Sequence, residues 1–576
     1  MLFALLIWLY TLETGGLVGW ACCRLVVRSL KFESEPEALR PLPFTIQWLL
    51  GFAALTSLAS VLSLFMPLGL ASQAVVFLLA LLAFLTWRKS QRSTSLPALY
   101  RDLRSWAPVV LLLALALASL LFLATSKPTN DDTGLYHAQA IRWIETYPAV
   151  PGLANIHTRL GYDSSWLLSQ ALYSFAFLGI QSFHLNTSVL FLVSVLYFAL
   201  GLGNIWKGSH RLSDWVRTLF FPMVFYILTS EVSSPGTDAP VTLITWIVLA
   251  EWLVYWEDGR PARDLRPLIL TLLGVYAVTI KLSAFPLALP GLSLLGLTFL
   301  RRKWKAPLLA AGLCILVLLP WMTRNVVLTG YLVYPFPAVD LFPVDWKIPA
   351  DMARFEAAGI QAWARLPRQD QVIVMAMPLL RWAREWFANL TVNRRAILLF
   401  TLAAPFGYLI LGLWKRVRRF MAGLVKTAWP VYLTAYFGLA FWFFSAPDYR
   451  FGTGFIIGCL VLAVAPAILF LQEIWPVSAR ALPWLVVGAL TVFQVLILGS
   501  SINPKTLSQR LVVPIDYPLL PTHPCHAVQK TFMVPDEISY GLCYYGVFPC
   551  IPSCRNDFEM RGPGLQDGFR HKAPSP

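Results

Sequence analysis

Long apolar runs separated by short polar segments make up most of this chain. A helix that crosses a lipid bilayer needs roughly 17–25 apolar residues, and about fourteen runs reach or approach that length. They predict helices at 2–28, 44–65, 71–87, 107–125, 186–206, 217–230, 241–257, 267–281, 284–300, 307–328, 396–414, 427–445, 454–472 and 482–500. The pattern therefore predicts an all-α polytopic membrane protein, a bundle of about 14 transmembrane helices.

Short loops rich in lysine and arginine indicate how these helices are oriented. The basic loops lie near residues 24–40, 88–104, 207–217, 260–266, 301–305 and 415–426. Strict alternation of the helices places all of these loops on one face, and the positive-inside rule makes that face cytoplasmic. The extracytoplasmic face then carries the loops 126–185 and 329–395 and a tail that begins at residue 501.

These assignments divide the chain into three parts. Residues 1–106 hold the N-terminal helices, residues 107–500 form the main transmembrane core, and residues 501–576 form the tail. Helices that lie along the outer membrane surface without crossing it are expected at 166–179, 351–366 and 377–390.

Composition supports a membrane protein and excludes two other classes. Of the 576 residues, 57% are hydrophobic and only 13% are charged, and the mean hydropathy is +0.63, which excludes an ordinary soluble domain. The net charge of +16 could indicate nucleic-acid binding, but the basic residues lie in short clusters between apolar runs. Such clusters indicate topology and contact with anionic lipid headgroups, and no nucleic-acid-binding motif accompanies them.

Four of the eight cysteines cluster in the polar tail: Cys525, Cys543, Cys550 and Cys554. An even number of cysteines in an oxidising compartment predicts two disulfides, and the sequence leaves their pairing open. A zinc site is the alternative, although the strong CxxC…CxxC pattern is absent. Disulfides in the tail agree with its extracytoplasmic placement.

The polar groups that are most costly to place in a membrane protein gather on the predicted extracytoplasmic side. Adjacent carboxylates, Asp131 and Asp132, follow the apolar run 109–124. Four more ionisable residues lie at or just past the outer ends of other predicted helices: Asp238, Lys281, Arg324 and Arg450. A carboxylate can act as a general base while cations stabilise a phosphate leaving group. This set therefore suits chemistry on an anionic, lipid-borne substrate.

Each of these residues also has a structural alternative. Lys281 and Arg324 can instead extend to lipid headgroups. Arg450 can pair with Asp448, and Asp238 can cap the helix that follows it.

Motifs for metal or nucleotide binding are missing. His137 and His157 would need further ligands to hold zinc, and none stands at a diagnostic spacing. Glycine-rich phosphate loops of the P-loop or Rossmann kind are absent as well. The sequence therefore predicts no metal and no cofactor.

Four segments, taken in order, resemble the GT-C superfamily of integral membrane glycosyltransferases. Asp132 and Tyr136 have that family's Asp-x-x-x-aromatic spacing, although the second acid, Asp131, precedes Asp132 instead of following it. The stretch SSWLLSQALYSFAFLG at 164–179 is similar to the family's surface helix before the second core span. PWMTRNVVLTGYLVYP at 320–335 and APDYRFG at 446–452 are similar to its later Arg-containing stretches. The resemblance covers about residues 107–500 and leaves out the N-terminal helices and the tail.

The resemblance implies an inverting glycosyltransferase of a bacterial inner membrane, with its active site on the periplasmic side. A sugar would move from a polyprenyl-phosphate carrier to an acceptor hydroxyl of a glycan, lipid or protein. Asp132, or alternatively Asp131, would be the base, and the donor phosphate would lie near Arg450, Arg324 and Lys281. The residues expected to line the site are Tyr136, His137, Arg142 and Asp238.

Two other functions fit a membrane protein of this kind. A polysaccharide polymerase or ligase would also use lipid-linked glycans, but would depend on Arg and His without a carboxylate base. A transporter or flippase of lipid-linked glycans often has internal repeats with broken helices, and the sequence shows no such repeat.

Overall fold

Helices dominate the structure, a computed structural model that describes residues 1–30, 42–90, 107–259, 264–526 and 530–572. Within those ranges, eleven helices are long and apolar enough to cross a membrane. The other three predicted spans are also helical, but Leu212–Ile227 and Arg266–Ile280 are short and Lys415–Ser445 is less apolar. The prediction of a mostly helical, multi-pass membrane protein is therefore confirmed.

The bounds of the helices follow the apolar runs closely. In chain order they are α1 (Leu2–Ser29), α2 (Phe44–Leu62), α3 (Leu70–Ser90), α4 (Ala107–Ala124), α5 (Ala138–Thr146), α6 (Ser165–Leu172), α7 (Asn186–Trp206), α8 (Leu212–Ile227), α9 (Asp238–Glu257), α10 (Arg266–Ile280), α11 (Leu289–Leu300), α12 (Lys305–Thr329), α13 (Ala350–Arg365), α14 (Gln371–Ala376), α15 (Leu379–Asn389), α16 (Val392–Leu411), α17 (Lys415–Ser445), α18 (Tyr449–Ile474), α19 (Pro476–Ser501) and α20 (Pro504–Arg510). A 3-10 segment, Leu282–Ala288, leads into α11.

Helix α9 lies at the centre of the bundle, because 94% of its most apolar stretch is buried inside the protein. Helices α7, α8, α10 and α18 pack around it. At the edge of the bundle, apolar side chains of α12, α16 and α19 such as Leu316, Leu409 and Leu496 are exposed. Exposed apolar side chains are expected where a spanning helix faces lipid. Its backbone N–H and C=O groups are hydrogen-bonded within the helix, so such a face presents only apolar groups to the lipid.

The first two helices pack closely on each other and on α7. Gly19 allows the close approach of α1 and α2, because a Cβ there would lie 1.8 Å from the Gln47 carbonyl oxygen. Trp8 Nε1 of α1 donates to Ser188 Oγ of α7 at 2.8 Å. Thr45 Oγ1 of α2 donates to the Val193 carbonyl of α7 at 3.1 Å. The N-terminal helices are thus packed into the bundle.

Segments that the topology prediction assigns to one face contact one another. On the face assigned to the outside, Thr158 donates to Glu356 of the loop 329–395 at 2.8 Å. On the other face, Arg211 Nη2 donates to Asp258 Oδ1 at 2.9 Å. Parts of the basic loops, at 31–41, 91–106 and 260–263, lie outside the described residues, and so does the predicted boundary at 106.

The expected surface helix at 166–179 takes a different form. Helix α6 ends at Leu172, and every residue from Ser165 to Leu172 is buried. Left-handed backbone at Phe175 and Gly179 interrupts the rest of the segment, so only a short 3-10 turn follows. Eight helical residues extend about 12 Å, too short to cross a bilayer. Helix α6 is therefore part of the protein interior, where it packs against α2 and α5, whereas Phe177 and Leu178 beyond it are exposed.

The tail folds into two small antiparallel sheets. Strands β1 (Thr522–Cys525) and β2 (Phe532–Pro535) form one sheet, and β3 (Phe558–Met560) and β4 (Phe569–His571) form the other. The disulfide Cys525–Cys554 links β1 to the segment before β3, and Cys543–Cys550 closes the loop between β2 and β3. The prediction of two disulfides is confirmed, and the zinc alternative is excluded because all four thiols are used.

Candidate active site

A single π-helical turn, Thr133–His137, joins Asp132 to α5. The turn is wider than an α-helix because the Ala138 amide donates to the Thr133 carbonyl, five residues earlier. Asn130 holds its start, where the Thr133 amide donates to the Asn130 carbonyl at 3.1 Å and to Oδ1 at 3.2 Å. π turns are rare and are frequently found at functional sites. This one fixes the direction in which Asp132 leaves the backbone.

Asp132 binds two arginines from distant parts of the chain. Its Oδ2 accepts from Arg450 Nη1 at 3.1 Å, and its Oδ1 lies 3.5 Å from Arg159 Nη1. The Asp132 side chain makes no capping hydrogen bond to the turn that follows it. The carboxylate is therefore used in ion pairing, and its position at the start of a helical segment has no capping role.

The two adjacent carboxylates have different surroundings. Asp132 is partly buried among cations, whereas Asp131 is exposed. Asp131 lies near Tyr544 of the tail, since its charge raises the pKa of that phenol after the larger effect of burial. The structure thus distinguishes two residues that sequence spacing left open.

A carboxylate–lysine pair lies next to the contacts between Asp132 and its two arginines. Lys281, just past α10, donates to Asp238 at the start of α9. Arg450 Nη1 also lies 3.9 Å from Asp238 Oδ2 and so connects the two carboxylates. Asp448 caps α18 by accepting from the Arg450 amide at 2.9 Å, and its Oδ2 lies 3.6 Å from Arg450 Nε.

We call these six side chains the ion cluster: Asp132, Arg159, Asp238, Lys281, Asp448 and Arg450. Three acids and three bases balance in formal charge. Arg159 and Arg450 each keep 40% of the side chain exposed, so both guanidinium groups are accessible from outside the protein. Lys281 Nζ and the Arg450 guanidinium lie over the Phe451 ring at 3.7 Å and 5.6 Å. The ring faces both cations and adds cation–π stabilisation to each.

The charges around Asp132 keep it ionised. Burial alone would raise its pKa. The positive groups near it, His137 when protonated and the cations of the ion cluster, outweigh burial and hold the pKa of Asp132 below its ordinary value of 3.8. At neutral pH the side chain is therefore a carboxylate.

His137 is buried directly beside this carboxylate. Only 3% of the residue is exposed, and neither ring nitrogen has a hydrogen-bond partner among the described residues. Burial lowers the pKa of His137 to about 4, although Asp132 and Asp238 favour protonation. The imidazole is thus neutral at pH 7, with one donor and one acceptor unused.

Arg159 connects the ion cluster to an aromatic and acidic group on its other side. Its Nε lies 3.9 Å from Glu356 Oε1 of α13, and its guanidinium lies 5.8 Å from the centre of the Tyr136 ring. Tyr162 also donates to Glu356 and packs edge-on against Tyr136 at 5.8 Å. Arg159 and Glu356 were not predicted as site residues. The sequence predicts a surface helix that includes Glu356, but no motif in it indicates that Glu356 pairs with Arg159.

Three predicted site residues lie elsewhere, and one of them is the exposed Asp131. Arg324 is buried, donates to Asp163 Oδ1 at 3.0 Å and to Ser63 Oγ at 2.7 Å, and the structure does not bring it into the ion cluster. Arg142 contacts the tail, because its Nη1 donates to the Tyr545 carbonyl at 3.0 Å and also to the Gly546 carbonyl. The other predicted residues, Asp132, Tyr136, His137, Asp238, Lys281 and Arg450, are brought together.

Within the described ranges, no group of three or more His, Cys, Asp or Glu side chains is arranged to hold a metal ion. The cations of the ion cluster already occupy positions between the carboxylates. What the arrangement offers is an ionised carboxylate beside accessible guanidinium groups, a combination suited to binding an anion and deprotonating or orienting a neighbouring hydroxyl.

The fold and the ion cluster together define a multi-pass membrane protein with a partly exposed mixed-charge site to which several helices contribute. The chain belongs to the family described as Domain of unknown function (DUF8201), whose model matches residues 1–457. That match includes the π turn, the whole ion cluster and the three N-terminal helices, and it ends within α18, before the tail. No curated protein and no solved structure matches the chain.

Proposed function

We propose that the protein is a membrane glycosyltransferase of the GT-C type that moves a sugar from a polyprenyl-phosphate carrier to an acceptor hydroxyl. The observation that carries the proposal is the contact of the Asp132 carboxylate with the half-exposed Arg450 guanidinium, with Lys281 beside them. The reaction needs a base on the acceptor side of the anomeric carbon and a cation on the phosphate side, and these neighbouring residues can provide both.

The reaction is an in-line displacement with inversion at the anomeric carbon. The acceptor oxygen attacks that carbon from the face opposite the phosphate, and its proton passes to Asp132. The bond between the anomeric carbon and the phosphate oxygen breaks, and its electron pair stays on the phosphate. The carrier leaves as polyprenyl phosphate with one more negative charge than it had in the donor.

Arg450 and Lys281 stabilise this growing charge. A guanidinium binds phosphate oxygens in a bidentate manner, and the contacts of Arg450 with the acids run through Nε and Nη1. When the donor phosphate draws Arg450 away from Asp132, the carboxylate loses a charge that holds its pKa low and becomes the stronger base. Donor binding and activation of the acceptor are thereby coupled through one arginine.

The remaining residues of the site have supporting parts. Tyr136 lies under Arg159 and limits its movement, and the unpartnered nitrogens of His137 are free to bind a substrate oxygen. The donor itself supplies the energy of transfer, so the reaction needs no cofactor. The partners are the lipid-linked donor, a glycan, lipid or protein acceptor, and the surrounding lipids of a bacterial inner membrane.

The proposal is tested with purified protein in lipid nanodiscs. Polyprenyl-phosphate-linked sugars from a bacterial membrane extract are added with candidate acceptors, and products are identified by mass spectrometry and by the configuration at the anomeric carbon. Transfer with inversion is expected, and Asp132→Asn should abolish it. Movement of intact lipid-linked glycan across vesicles without bond cleavage would instead identify a transporter. Transfer of a whole glycan chain that survives Asp132→Asn would identify a polymerase or ligase.

The sidedness of the site is tested separately by cysteine accessibility on intact cells. Cysteines introduced at Lys89, Arg302 and Arg418 should resist an impermeant thiol reagent, whereas a cysteine at Asp351 should react. Reaction at position 418 would place the basic loops outside and overturn the periplasmic location of the site.

A further inference from the structure

A loop of the tail contacts the π turn. It runs from Cys543 to Cys550, and the disulfide between these two residues closes it. The amides of Cys543 and Tyr544 both donate to the Gly134 carbonyl at 2.9 Å. Gly134 lies inside the π turn, two residues after Asp132. The loop therefore binds backbone atoms of the segment that presents the carboxylate.

The loop and the turn fit together without space for a side chain. A Cβ at Gly134 would lie 2.9 Å from the Tyr544 ring and 3.0 Å from Leu542 Cδ2. A glycine is required here by the close approach of two chain segments, which indicates a built contact.

Gln139 connects the two ends of the loop to the first turn of α5. Its Nε2 donates to the Tyr544 carbonyl at 2.9 Å, and its Oε1 accepts from the Cys550 amide at 3.2 Å. Only 1% of the residue is exposed. Because both groups of one amide are used, Gln139 fixes the loop in position and orientation.

The far side of the loop is held by the tail itself. The Met533 amide of β2 donates to the Pro549 carbonyl at 2.9 Å, and the Ile551 amide donates to the Met533 carbonyl at 3.0 Å. The disulfide joins the two ends, and Cys543 and Cys550 are both buried. The loop is thus rigid on one side and bound to the π turn on the other.

We infer that the disulfide-closed loop from Cys543 to Cys550 is a positioning element of the active site: it holds the π turn carrying Asp132 through the Gly134 carbonyl, and Gln139 keeps the loop in place for that contact. The inference deepens the proposed function and rests on it for its kinetic consequences. The loop touches no reacting atom in this account. It acts by keeping Asp132 at a constant distance from Arg450, and an error of about 1 Å in such a group can reduce turnover about 100-fold.

The test uses Gln139→Ala in the full-length protein, with Arg561→Ala as the matched control. Arg561 also joins the tail to the core, through Asp345 at 2.9 Å, but far along the chain from the π turn. We expect Gln139→Ala to lower kcat about 10–100-fold with little change in the donor KM. The acid limb of its kcat/KM should move to higher pH, because Asp132 is no longer held among its cations. Arg561→Ala should change neither.

Hydrogen exchange gives a readout that does not depend on activity. The amides of residues 134–138 should exchange faster in Gln139→Ala and at the normal rate in Arg561→Ala. If Gln139→Ala does not fold, Gln139→Met keeps the length of the side chain and removes both hydrogen bonds without adding a charge, so it should show a change of the same kind.

Unchanged exchange across the π turn in folded Gln139→Ala would overturn the inference, and so would an equal loss of kcat in Arg561→Ala. Absence of transfer by the wild-type protein would overturn the proposed function alone. The exchange comparison would then decide the positioning role by itself.

Discussion

Asp132 Oδ2 and Arg450 Nη1 lie 3.1 Å apart although 318 positions of sequence separate them. The contact joins the first large loop of the chain to the start of α18. It forms between a carboxylate held by a π turn and a guanidinium held by a capped helix end. The backbone of both residues is therefore fixed by local structure, whereas the Arg450 guanidinium, whose side chain is 40% exposed, is free to turn towards a ligand.

Asp132→Asn is expected to reduce transfer about 10²–10⁴-fold, the usual contribution of a general base. The change keeps the size of the side chain and removes its charge and basic oxygen. Asp131→Asn is the matched control and should have a small effect, because Asp131 is exposed and outside the ion cluster. Turnover of both folded variants is measured on the same donor. An inactive Asp131→Asn beside an active Asp132→Asn would show that the base is the other neighbour.

Arg450→Ala is expected to impair use of the lipid-phosphate donor more than Arg450→Lys. Lysine keeps the positive charge but cannot bind two phosphate oxygens in the planar geometry of a guanidinium. Donor KM and kcat are measured for both variants. Arg394→Ala serves as control, because Arg394 lies 4.7 Å over the neighbouring Tyr449 ring and has no contact with the ion cluster. Wild-type kinetics in Arg450→Ala would exclude a phosphate-binding role.

Transfer should persist to acidic pH and fall only when Asp132 is protonated. Without donor, the pKa of Asp132 is depressed below 3.8, so kcat/KM should fall only as pH drops through that lower value and the carboxylate is lost. Arg159→Gln removes one of the cations responsible and should move the acid limb of kcat/KM to higher pH. Arg354→Gln, an exposed arginine on α13, should leave the limb in place. A limb that is equal in all three proteins would argue that another group controls it.

Arg324→Met is expected to lower stability and leave the donor KM unchanged. Arg324 and Asp163 are 3% and 2% exposed, and removing one partner of a buried ion pair typically costs about 3–5 kcal/mol. Thermal unfolding in detergent measures the loss. The double variant Arg324→Met with Asp163→Asn should recover part of it, since no unpaired carboxylate then remains. A raised donor KM without a loss of stability would return Arg324 to the substrate site.

Tryptic mapping of unreduced protein should give one linked pair of peptides, 511–530 and 531–555, joined by Cys525–Cys554. The second peptide should also contain the internal disulfide Cys543–Cys550. Alkylation before reduction should modify none of these four thiols. Loss of a native disulfide in a small extracellular domain commonly costs about 2–5 kcal/mol. Cys459, buried in α18, provides an internal reference for a free cysteine that becomes reactive only after unfolding. Detection of four alkylated tail cysteines would contradict the structure.

The helices were predictable because each is encoded locally by a run of apolar residues. The segment 166–179 was not, since burial against lipid and burial against protein select the same side chains. Only the neighbouring helices decide between them, and a sequence does not contain their positions.

The candidate site was predictable in part for a similar reason. Asp132, Asp238, Lys281 and Arg450 stand at the outer ends of predicted helices, where a charge is unusual enough to be noticed. Glu356 lies on a helix with many charges and cannot be distinguished from its neighbours by sequence. Arg324 was noticed for the same reason as Arg450. Its partner Asp163 lies in a distant loop, so the pairing that removes it from the ion cluster becomes visible only in three dimensions.

The contact between the tail loop and the π turn also sets an order of events during biosynthesis. Residues 543–550 leave the ribosome after every helix from α1 to α19, and their disulfide forms only where oxidants are present. A nascent chain can therefore insert its complete helical bundle while the turn that carries Asp132 still lacks its support. Membrane insertion and maturation of the site become separate stages. The second stage depends on the oxidising capacity of the compartment that the tail enters.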